Sequence, residues 1–422
     1  MSTTSSGSCP RRRSRRSSRP PRRRPCDDAR GEGDAALALT TLDPEEARRF
    51  MVAHHGLAQP LVGPPDEATR GLLASRRCIQ LDPLDVIGTN ADLVAMARID
   101  GLARGDVYRH LMPGHAFEHF AKERCLLPAS AFPYYRGKSA ETGWWSHAER
   151  LRRVPEATVR AVLAAVKRHG PITAAELDKL GDFGRVDPLD WSGWKGTARA
   201  ASMALEILWT RCDVVVAGRA SGGKLWDVPG RALGAWGKKR ARASAEFARW
   251  ALVERVAAAG LLARASGPHW SMLGAVRTSA LPDALVAEGA LEEVRVSGAA
   301  RTYLAPAGFR ERAPIEPDDR VRIIGPLDSC IWDRKLTSHA FGFDYVWEVY
   351  KPAATRRYGW YVNPIMHAGA LVGRLEARVE DGVLVVANLW AEPGRRLDRR
   401  ALRAALARHA EGLGARGVKL PR

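Results

Sequence analysis

Residues 155–230 carry the pattern that most restricts the fold of this chain. Thr173 and Glu176 make a capping box, which predicts the start of a helix after a Gly-Pro break. A further helix over about 194–211 and a hairpin over 213–228 follow, so the order is helix, helix, helix, hairpin, as in a winged helix. The apolar stripe of the first helix, spaced i, i+3, i+4 and i+7, is Val159, Val162, Leu163 and Val166.

The same order recurs along the chain. Residues 243–290 predict helices with a Gly-Pro break, and a second small hairpin follows over 291–305. Residues 43–112 are less regular but compatible with this order. We interpret these stretches as three tandem winged-helix units, which repeat a pattern rather than a sequence. Winged helices commonly bind duplex nucleic acid, although a single unit can also serve protein–protein packing.

Helices are also predicted in the region before residue 130. Asp43 is the N-cap of a helix that runs toward His55, and Pro44 occupies its tolerated first position. Three more helical stretches are predicted, at 66–76, 90–112 and 115–126.

The last section of the chain, from residue 316, has a different pattern. Runs of apolar residues predict strands, and a terminal helix follows over about 397–412. A hairpin-like loop from Lys351 to Tyr358 presents three cations beside aromatic rings, which suits phosphate contact and stacking. A hairpin that is merely solvated is the alternative. The predicted strands are 321–324, 343–349, 359–363, 370–379 and 383–389.

These patterns define the predicted fold class and its divisions. The class is α+β, with three tandem winged-helix units followed by a C-terminal mixed β-sheet domain that carries a terminal helix. The predicted divisions are a disordered Arg/Ser/Pro-rich tail (1–40), winged helix 1 with the segment Gln80-Leu81-Asp82 (41–150), winged helix 2 (151–238), winged helix 3 (239–315) and the β-rich domain with the basic hairpin (316–422).

The net charge of +19 over 422 residues is the strongest compositional signal. Residues 1–26 contain nine Arg and no acidic residue, so the other 396 residues still carry +10. A basic body, and not only a basic tail, indicates a polyanionic partner such as nucleic acid. No apolar run reaches the roughly 18 residues of a membrane span, and six scattered cysteines fit a reducing cytoplasm.

A short segment with a strand pattern offers candidate catalytic groups. Ile79 and Leu81 alternate with Gln80 and Asp82, so an extended segment places an amide and a carboxylate on one face. Pro83 then stops strand pairing. An amide beside a carboxylate can hold and polarise one water molecule. The other interpretation is that Asp82 and Pro83 only end a strand or cap a helix, with Gln80 on a solvated face.

A second motif suggests a different chemistry. Residues 115–119 match H-x-x-E-H, the inverted zinc-peptidase signature, if His115 and His119 share a helix face. Such a site needs a third ligand and an open coordination position, and no residue in the sequence stands out as that ligand. Packing of an amphipathic helix on the core is the competing interpretation, and no metal or other cofactor is expected.

Several blocks of this sequence resemble the bacterial winged-helix DNA glycosylase family (YcaQ/AlkZ-like). They are spread over about 41–395, so the resemblance covers nearly all of the chain except the tail. The blocks are Ile79-Gln80-Leu81-Asp82-Pro83; Phe117-Glu118-His119-Phe120 through Leu126-Leu127-Pro128; Trp194-Lys195-Gly196-Thr197 to Trp226-Asp227-Val228-Pro229; Trp332-Asp333-Arg334 to Phe341-Gly342-Phe343-Asp344-Tyr345; and Tyr350-Lys351-Pro352.

The resemblance implies removal of N7-alkylated guanines and unhooking of DNA interstrand crosslinks. It also implies a catalytic signature of Gln, an apolar residue, and then Gln or Asp. Gln80-Leu81-Asp82 matches the Asp branch, which is linked to broad repair of crosslinks and of bulky or simple N7 adducts. The Gln branch is linked to self-resistance against one natural product.

The residues fit that chemistry. An N7-alkylated guanine is formally cationic and departs as a neutral base, so no general acid is needed. Asp82 could orient or deprotonate a water near C1′, and Gln80 could hold that water by hydrogen bonding. No lysine stands out as a Schiff-base nucleophile, so a monofunctional enzyme without strand-cleaving activity is expected.

The expected partner is double-stranded DNA that contains alkylated or crosslinked guanine, bound by a monomer in the cytoplasm. A DNA-binding transcription regulator and a zinc peptidase are the alternatives. The candidate DNA-binding residues are Lys195, Arg199, Arg334, Lys335, Lys351, Arg356, Arg357 and Tyr358.

Overall fold

Three small sheets share one connectivity in the computed structural model, which describes residues 39–139, 147–187, 197–312 and 315–421. In each, a helix leads into a short strand, further helices follow, and a hairpin ends the stretch. The short strand pairs with the second strand of that hairpin in all three cases. The predicted tail and Lys195 lie outside the described residues. The α+β class is confirmed, whereas the count of three winged-helix units and the domain boundaries stay predictions.

The first of these sheets has the order β2-β4-β3. The capping box between Asp43 and Glu46 confirms the predicted start of the first helix. The elements are β1 Thr40–Leu42, α1 Pro44–His54, α2 Pro65–Arg76, β2 Ile79–Gln80, α3 Asn90–Met96, α4 Asp106–Leu111, β3 Ala116–Ala121, β4 Glu123–Pro128 and α5 Phe132–Ser139.

Two predicted helices in this region are wrong. The stretch 90–112 is broken between α3 and α4, where Gly101 and Gly105 take φ values of 74° and 83° that favour glycine. The stretch 115–126 is the β3–β4 hairpin instead of a helix. Its residues from Ala116 to His119 are all buried, so both faces of the strand are covered and the helical pattern is accidental.

The second sheet has the order β5-β9-β8 and confirms the hairpin predicted from the sequence. The capping box of Thr173 and Glu176 is present at the start of α8. The described part of the third helix begins only at Ala200, after a short strand. The elements are α6 His147–Arg153, α7 Glu156–His169, β5 Ile172–Thr173, α8 Ala174–Leu180, β6 Arg185–Val186, β7 Ala198–Arg199, α9 Ala200–Thr210, β8 Val215–Ala220, β9 Gly223–Asp227, α10 Pro229–Ala232 and α11 Ala235–Lys238.

The third sheet has the order β1-β11-β12-β10 and takes in a strand from far away in the sequence. β1 pairs in parallel with β11, so Thr40 lies beside Val294. The N-terminal strand therefore joins the third sheet rather than the first. The other elements are α12 Glu246–Ala259, β10 Leu262–Ala263, α13 Gly274–Arg277, α14 Leu281–Ala287, β11 Leu291–Val296 and β12 Thr302–Pro306.

The C-terminal section forms a five-stranded sheet of order β13-β14-β15-β16-β17, and the predicted terminal helix packs against it. The first unit joins this core through Ile87 and Leu93. Among the described residues, no helix is long and apolar enough to cross a bilayer. The elements are β13 Val321–Ile323, α15 Arg334–Phe341, β14 Val362–His367, β15 Ala370–Glu380, β16 Val383–Ala391, α16 Arg399–Gly412 and β17 Val418–Lys419.

The predicted strand 343–349 is wrong, although its alternation is real. Phe343 and Tyr345 are buried, whereas Asp344 and Val346 are exposed, as in a strand. The segment nevertheless pairs with no strand of the five-stranded sheet. It crosses the core as irregular chain, and the Tyr345 hydroxyl donates to the carbonyl of Val362 at 2.6 Å.

A buried ion pair fastens the first unit to the C-terminal section. Arg98, just after α3, donates from Nη1 and Nη2 to the two carboxylate oxygens of Asp328 at 2.7 and 3.0 Å. Both side chains are fully buried. The guanidinium also donates to the carbonyls of His55 and Val94, and Asp328 accepts the N–H of Cys330. Every strong polar group of the pair is therefore satisfied, which is the condition under which such a pair is tolerated in a core.

We expect Asp328→Ala to lower the free energy of unfolding by about 3–5 kcal/mol, because it leaves the Arg98 guanidinium buried without its counter-charge. Urea unfolding at pH 7 measures this. The matched control is Asp100→Ala, which removes a more exposed pair in which Nη2 of Arg320 donates to both carboxylate oxygens of Asp100. It should cost less than about 1 kcal/mol. Equal losses in the two variants would contradict the role given to burial.

Candidate active site

The segment that follows α2 places Gln80 and Asp82. Arg77 takes a left-handed φ of 63° and ends the helix, so the chain turns directly into β2. In that strand Gln80 lies opposite Cys125 of β4. The N–H of Leu81 still donates to β4, at 2.8 Å to the Arg124 carbonyl, and the chain then leaves the sheet.

Gln80 is buried, so the interpretation that placed it on a solvated face is wrong. Its backbone carbonyl accepts from the Asn90 side chain at 2.8 Å, which ties β2 to α3. Its side-chain Oε1 accepts from Nζ of Lys122 at 2.8 Å. Lys122 is the turn residue between β3 and β4, and its ammonium lies 5.1 Å from the centre of the Trp332 ring. Gln80 is thus held by Asn90 of α3 through its backbone and by Lys122 through its side chain.

Asp82 is half-buried, and its carboxylate is only partly occupied. Oδ1 accepts the N–H of Leu84 at 2.9 Å, as the strand-ending interpretation expects. No described residue donates to Oδ2. Burial raises the pKa of the Asp82 carboxyl, and the hydrogen bond from Leu84 opposes this in part. The free oxygen is therefore a stronger base than that of an exposed aspartate.

Asp82 lines a cleft of about 580 Å³ between the segment 82–113 and the β8–β9 hairpin. Tyr108 of α4 and Pro113 form part of one wall, and Gly218 and Leu225 of the β8–β9 hairpin form part of the other. The lining, as the described residues define it, includes Asp82 but not Gln80.

Arg219 supplies positive charge to this cleft, but it is paired. Its guanidinium contacts the fully buried carboxylate of Glu118 and lies 4.5 Å from the centre of the Tyr108 ring. Arg104 on the same wall pairs with Asp85 at 3.1 Å. The cleft is therefore a mixed polar surface, held rigid by ion pairs, and not a purely cationic groove.

The C-terminal section contributes to the surroundings of Asp82 through Tyr361. Burial raises the pKa of the Tyr361 hydroxyl, and the carboxylates of Asp82 and Asp85 raise it further. Tyr361 follows directly on the loop of Lys351 to Trp360. The cationic loop therefore leads to the neighbourhood of Asp82, a relation that the sequence alone did not indicate.

That loop is folded around a buried carboxylate and is not a β-hairpin. Glu348 accepts from Nζ of Lys351 at 2.8 Å and from the backbone N–H groups of Arg357 and Tyr358. These hydrogen bonds, together with the Lys351 charge, hold the pKa of Glu348 at about 2 although burial opposes them. The only regular element here is a 3₁₀ turn over 353–355.

The predicted DNA-binding residues differ in how free they are. Lys335 and Arg357 are exposed, and Arg357 lies 4.9 Å from the centre of the Tyr358 ring. Arg199 is exposed but paired with Asp178. The remaining side chains are engaged inside the protein, as the following contacts show. Arg334 donates to the carbonyls of Ile331 and Pro326, Lys351 donates to Glu348, Arg356 donates to the Lys351 carbonyl, and Tyr358 lies under Arg374 at 4.1 Å.

The H-x-x-E-H motif does not form a helix. His119 lies within β3, is buried, and stacks on Trp209 with ring centres 4.7 Å apart, whereas His115 is exposed and precedes the strand. Burial lowers the pKa of His119 to about 3. No group of three or more His, Cys, Asp or Glu side chains suited to a metal occurs among the described residues. The alternative of a helix-borne zinc site therefore lacks the helix on which it depends.

Lys122 and Tyr108 are the residues near the site that sequence reasoning missed. A lysine in a hairpin turn is ordinarily solvated, and no pattern marks this one as buried. The one indirect signal is its position between two strands. The structure buries every residue from Ala116 to His119 and from Cys125 to Leu127 in these strands.

The fold and the cleft define the class of this molecule, a mixed α+β protein whose architecture is that of a solved DNA glycosylase. The chain is similar to Streptomyces sahachiroi DNA glycosylase AlkZ, with a TM-score of 0.59 and 18% sequence identity. The match covers 90% of this chain and 100% of that chain, and at this identity the likeness concerns the fold.

The family model described as DNA glycosylase AlkZ-like matches residues 73–414. The chain therefore belongs to the AlkZ-like DNA glycosylase family, and the resemblance noted in the sequence is confirmed. DNA is accordingly its substrate class, and DNA repair its setting.

Proposed function

We propose that this protein is a monofunctional DNA glycosylase that hydrolyses the N-glycosidic bond of N7-alkylguanine and unhooks DNA interstrand crosslinks. The observation that carries this proposal is the carboxylate of Asp82. It sits at the mouth of an open cleft, on the Gln-Leu-Asp segment of a member of the AlkZ-like DNA glycosylase family, with one oxygen free of protein donors among the described residues.

The chemistry needs few groups. Alkylation at N7 makes guanine a good leaving group, since the base departs neutral. The enzyme must then stabilise an oxocarbenium-like sugar and deliver a water to C1′. An ionised Asp82 supplies negative charge near the developing cation, and its raised pKa makes it a better acceptor for the water proton. Gln80 would hold that water by hydrogen bonding.

The openness of the cleft suits crosslinked substrates. A base tethered to the opposite strand cannot rotate fully into an enclosed pocket. Asp82 instead lies between two units on a surface that a duplex could approach, with the β8–β9 hairpin on one side. We propose that the enzyme presents Asp82 to the sugar of a nucleotide that stays largely within the helix.

Asp82→Asn should reduce excision of N7-methylguanine from a duplex by about 100- to 10,000-fold, because the amide neither accepts the proton nor supplies charge. Single-turnover release of the base, with EDTA present, measures the rate. Duplex affinity should persist.

Because burial raises the pKa of Asp82, the ionised carboxylate lowers the stability of the folded state at neutral pH. The Asp82→Asn variant should therefore melt no earlier than the wild type.

The matched control for this variant is Asp85→Asn, an acidic residue of the same cleft that pairs with Arg104. Its rate should stay close to that of the wild type. Equal activity in Asp82→Asn and the wild type would remove the catalytic role of Asp82. A requirement for one palindromic sequence, with loss of Asp82 tolerated, would favour a transcription regulator instead.

We expect no strand-cleaving lyase activity, and therefore no covalent DNA adduct after borohydride reduction. Lys122 is the lysine beside Gln80, but its Nζ is buried and already donates to Oε1 of Gln80. Incubation with an abasic-site duplex, reduction and denaturing electrophoresis provide the measurement. An adduct that disappears in Lys122→Met would identify a bifunctional enzyme and refute this expectation.

Arg357→Glu, in the loop that leads to Tyr361, should weaken duplex binding and flatten its salt dependence. Each lost phosphate contact lowers the slope of log K against log [salt] by about 0.9. Fluorescence anisotropy from 50 to 200 mM salt measures the slope. Arg378→Glu, an exposed arginine of β15 paired with Glu380, is the matched control. An unchanged slope in Arg357→Glu would exclude this loop from the DNA contact.

A further inference from the structure

Lys122 occupies an unusual position for the turn of a hairpin. It joins β3 to β4, where Ala121 pairs with Glu123, yet it is buried. Glu123 is held by a hydrogen bond from Ser271 of the third unit, and the thiol of Cys125 donates to the Lys122 carbonyl at 3.2 Å. Lys122 is therefore buried although Glu123 beside it is exposed, and the anchored backbone of the hairpin tip fixes where the Lys122 side chain starts.

The direction of the Lys122 side chain is determined by two contacts. Nζ lies 2.8 Å from Oε1 of Gln80 and 5.1 Å from the centre of the Trp332 ring. Trp332 is itself held, since its indole N–H donates to the Leu327 carbonyl at 2.9 Å. The ammonium is thus placed between an amide oxygen and an aromatic face, both of which favour a cation.

This contact decides which end of the Gln80 amide faces Lys122. An ammonium is a donor only, so the oxygen must point to it and the nitrogen must point away. No described residue accepts from Nε2 of Gln80, and this nitrogen is not among the fully buried atoms that lack a partner. Neither N–H group is therefore taken up by another described residue.

We infer that Lys122 is a positioning residue, which holds the Gln80 carbonyl so that Gln80 acts on the reacting water as a donor and not as an acceptor. The inference rests on the proposed function. A water that accepts one N–H from Gln80 and donates one O–H to Asp82 keeps one lone pair for attack on C1′. The attack forms the C1′–O bond, breaks the bond from C1′ to the base and passes one proton to Asp82. Orientation of that kind is the source of the large effects of small displacements in active sites.

The charged groups around Nζ make this arrangement sensitive to pH. The charged ones are Glu123 of β4, Arg255 of α12 and Arg334 of α15, and the titratable thiol of Cys125 in β4 also lies close enough to affect the ammonium. Burial, aided by the two arginines, lowers the pKa of Lys122 to about 8. The positive charge, which makes Lys122 a donor only, is therefore present below about pH 8 and is lost as the pH rises through that value, where the neutral amine can also accept a hydrogen bond.

The sequence offers a direct probe, because Gln59 and Gln80 are the only glutamines in the chain. Protein labelled with ¹⁵N in the glutamine side chains should show two NH₂ groups, one from each. We expect the Gln80 signal to move in Lys122→Met and, in the wild type, to titrate near pH 8. Gln59 is the internal reference, since it contacts only the Glu316 carbonyl.

The matched control variant is Lys224→Met. Lys224 is also a partly buried lysine, which lies 5.4 Å from the centre of the Trp226 ring and donates to Glu206. This variant should leave the Gln80 signal in place. In excision of N7-methylguanine, Lys122→Met should lower the maximal single-turnover rate on the order of 100-fold at unchanged duplex affinity, and it should lose the fall in rate that the wild type shows above about pH 8.

The outcomes separate this inference from the proposed function. A Gln80 signal that ignores both Lys122→Met and pH would overturn the positioning role, whatever the activity. A signal that moves while the excision rate and its pH profile stay unchanged would also overturn it, since the orientation would then have no catalytic effect. A wild-type protein that shows the signal change but excises nothing would refute the proposed glycosylase substrate and leave the Lys122–Gln80 contact established.

Discussion

The ion pair of Arg98 and Asp328 is the interaction on which the arrangement of the site depends. Two charges without solvent contact are tolerated only when their hydrogen bonds are complete, and this geometry leaves little freedom. The pair binds the end of α3 to the turn that carries Trp332. Through Trp332 it defines the space for Lys122, and Lys122 in turn holds Gln80. The ion pair that joins two distant parts of the chain therefore also sets the direction in which the amide of Gln80 points.

The three hairpins with the same connectivity have three different surroundings. The tip of the first, at Lys122, is buried against other parts of the chain. The tip of the second, around Ser221, is exposed, and residues nearer the base of that hairpin, such as Gly218 and Leu225, line the cleft of Asp82. The third receives an additional parallel strand, β1, at its edge. Repetition of a fold pattern thus does not imply repetition of a DNA contact, because neighbouring units decide whether a hairpin tip meets solvent.

The positive charge of the chain is also less free than its total suggests. Arginines that the sequence offered for DNA binding, such as Arg199 and Arg334, are held by a carboxylate or by backbone carbonyls. Lys351 is neutralised by the buried Glu348. The cations left for phosphates in this set are few and lie on exposed turns, such as Lys335 and Arg357. Salt dependence should therefore reflect a small number of contacts.

Local signals in the sequence were sufficient for much of the fold. The capping boxes at Asp43 and Thr173 start helices where they were predicted, because a cap is satisfied within four residues and needs no tertiary partner. The α+β class and the terminal helix follow from the same kind of local pattern. The family, too, could be recognised from short blocks, and the match over 73–414 confirms it.

Tertiary structure decided the features that local sequence patterns cannot predict. The segment 343–349 alternates like a strand, yet it pairs with no strand of the C-terminal sheet. Residues 115–126 have helical spacing, yet they are buried on both faces and pair as β3 and β4. The environment of Gln80 depends on Lys122 and Trp332, which are 42 and 252 residues away along the chain. Sequence by itself predicted which residues could carry the chemistry, since the functional groups belong to their side chains. Only the packing of distant segments determined which of their atoms remain free to act, because hydrogen-bond partners and burial are set by the whole fold.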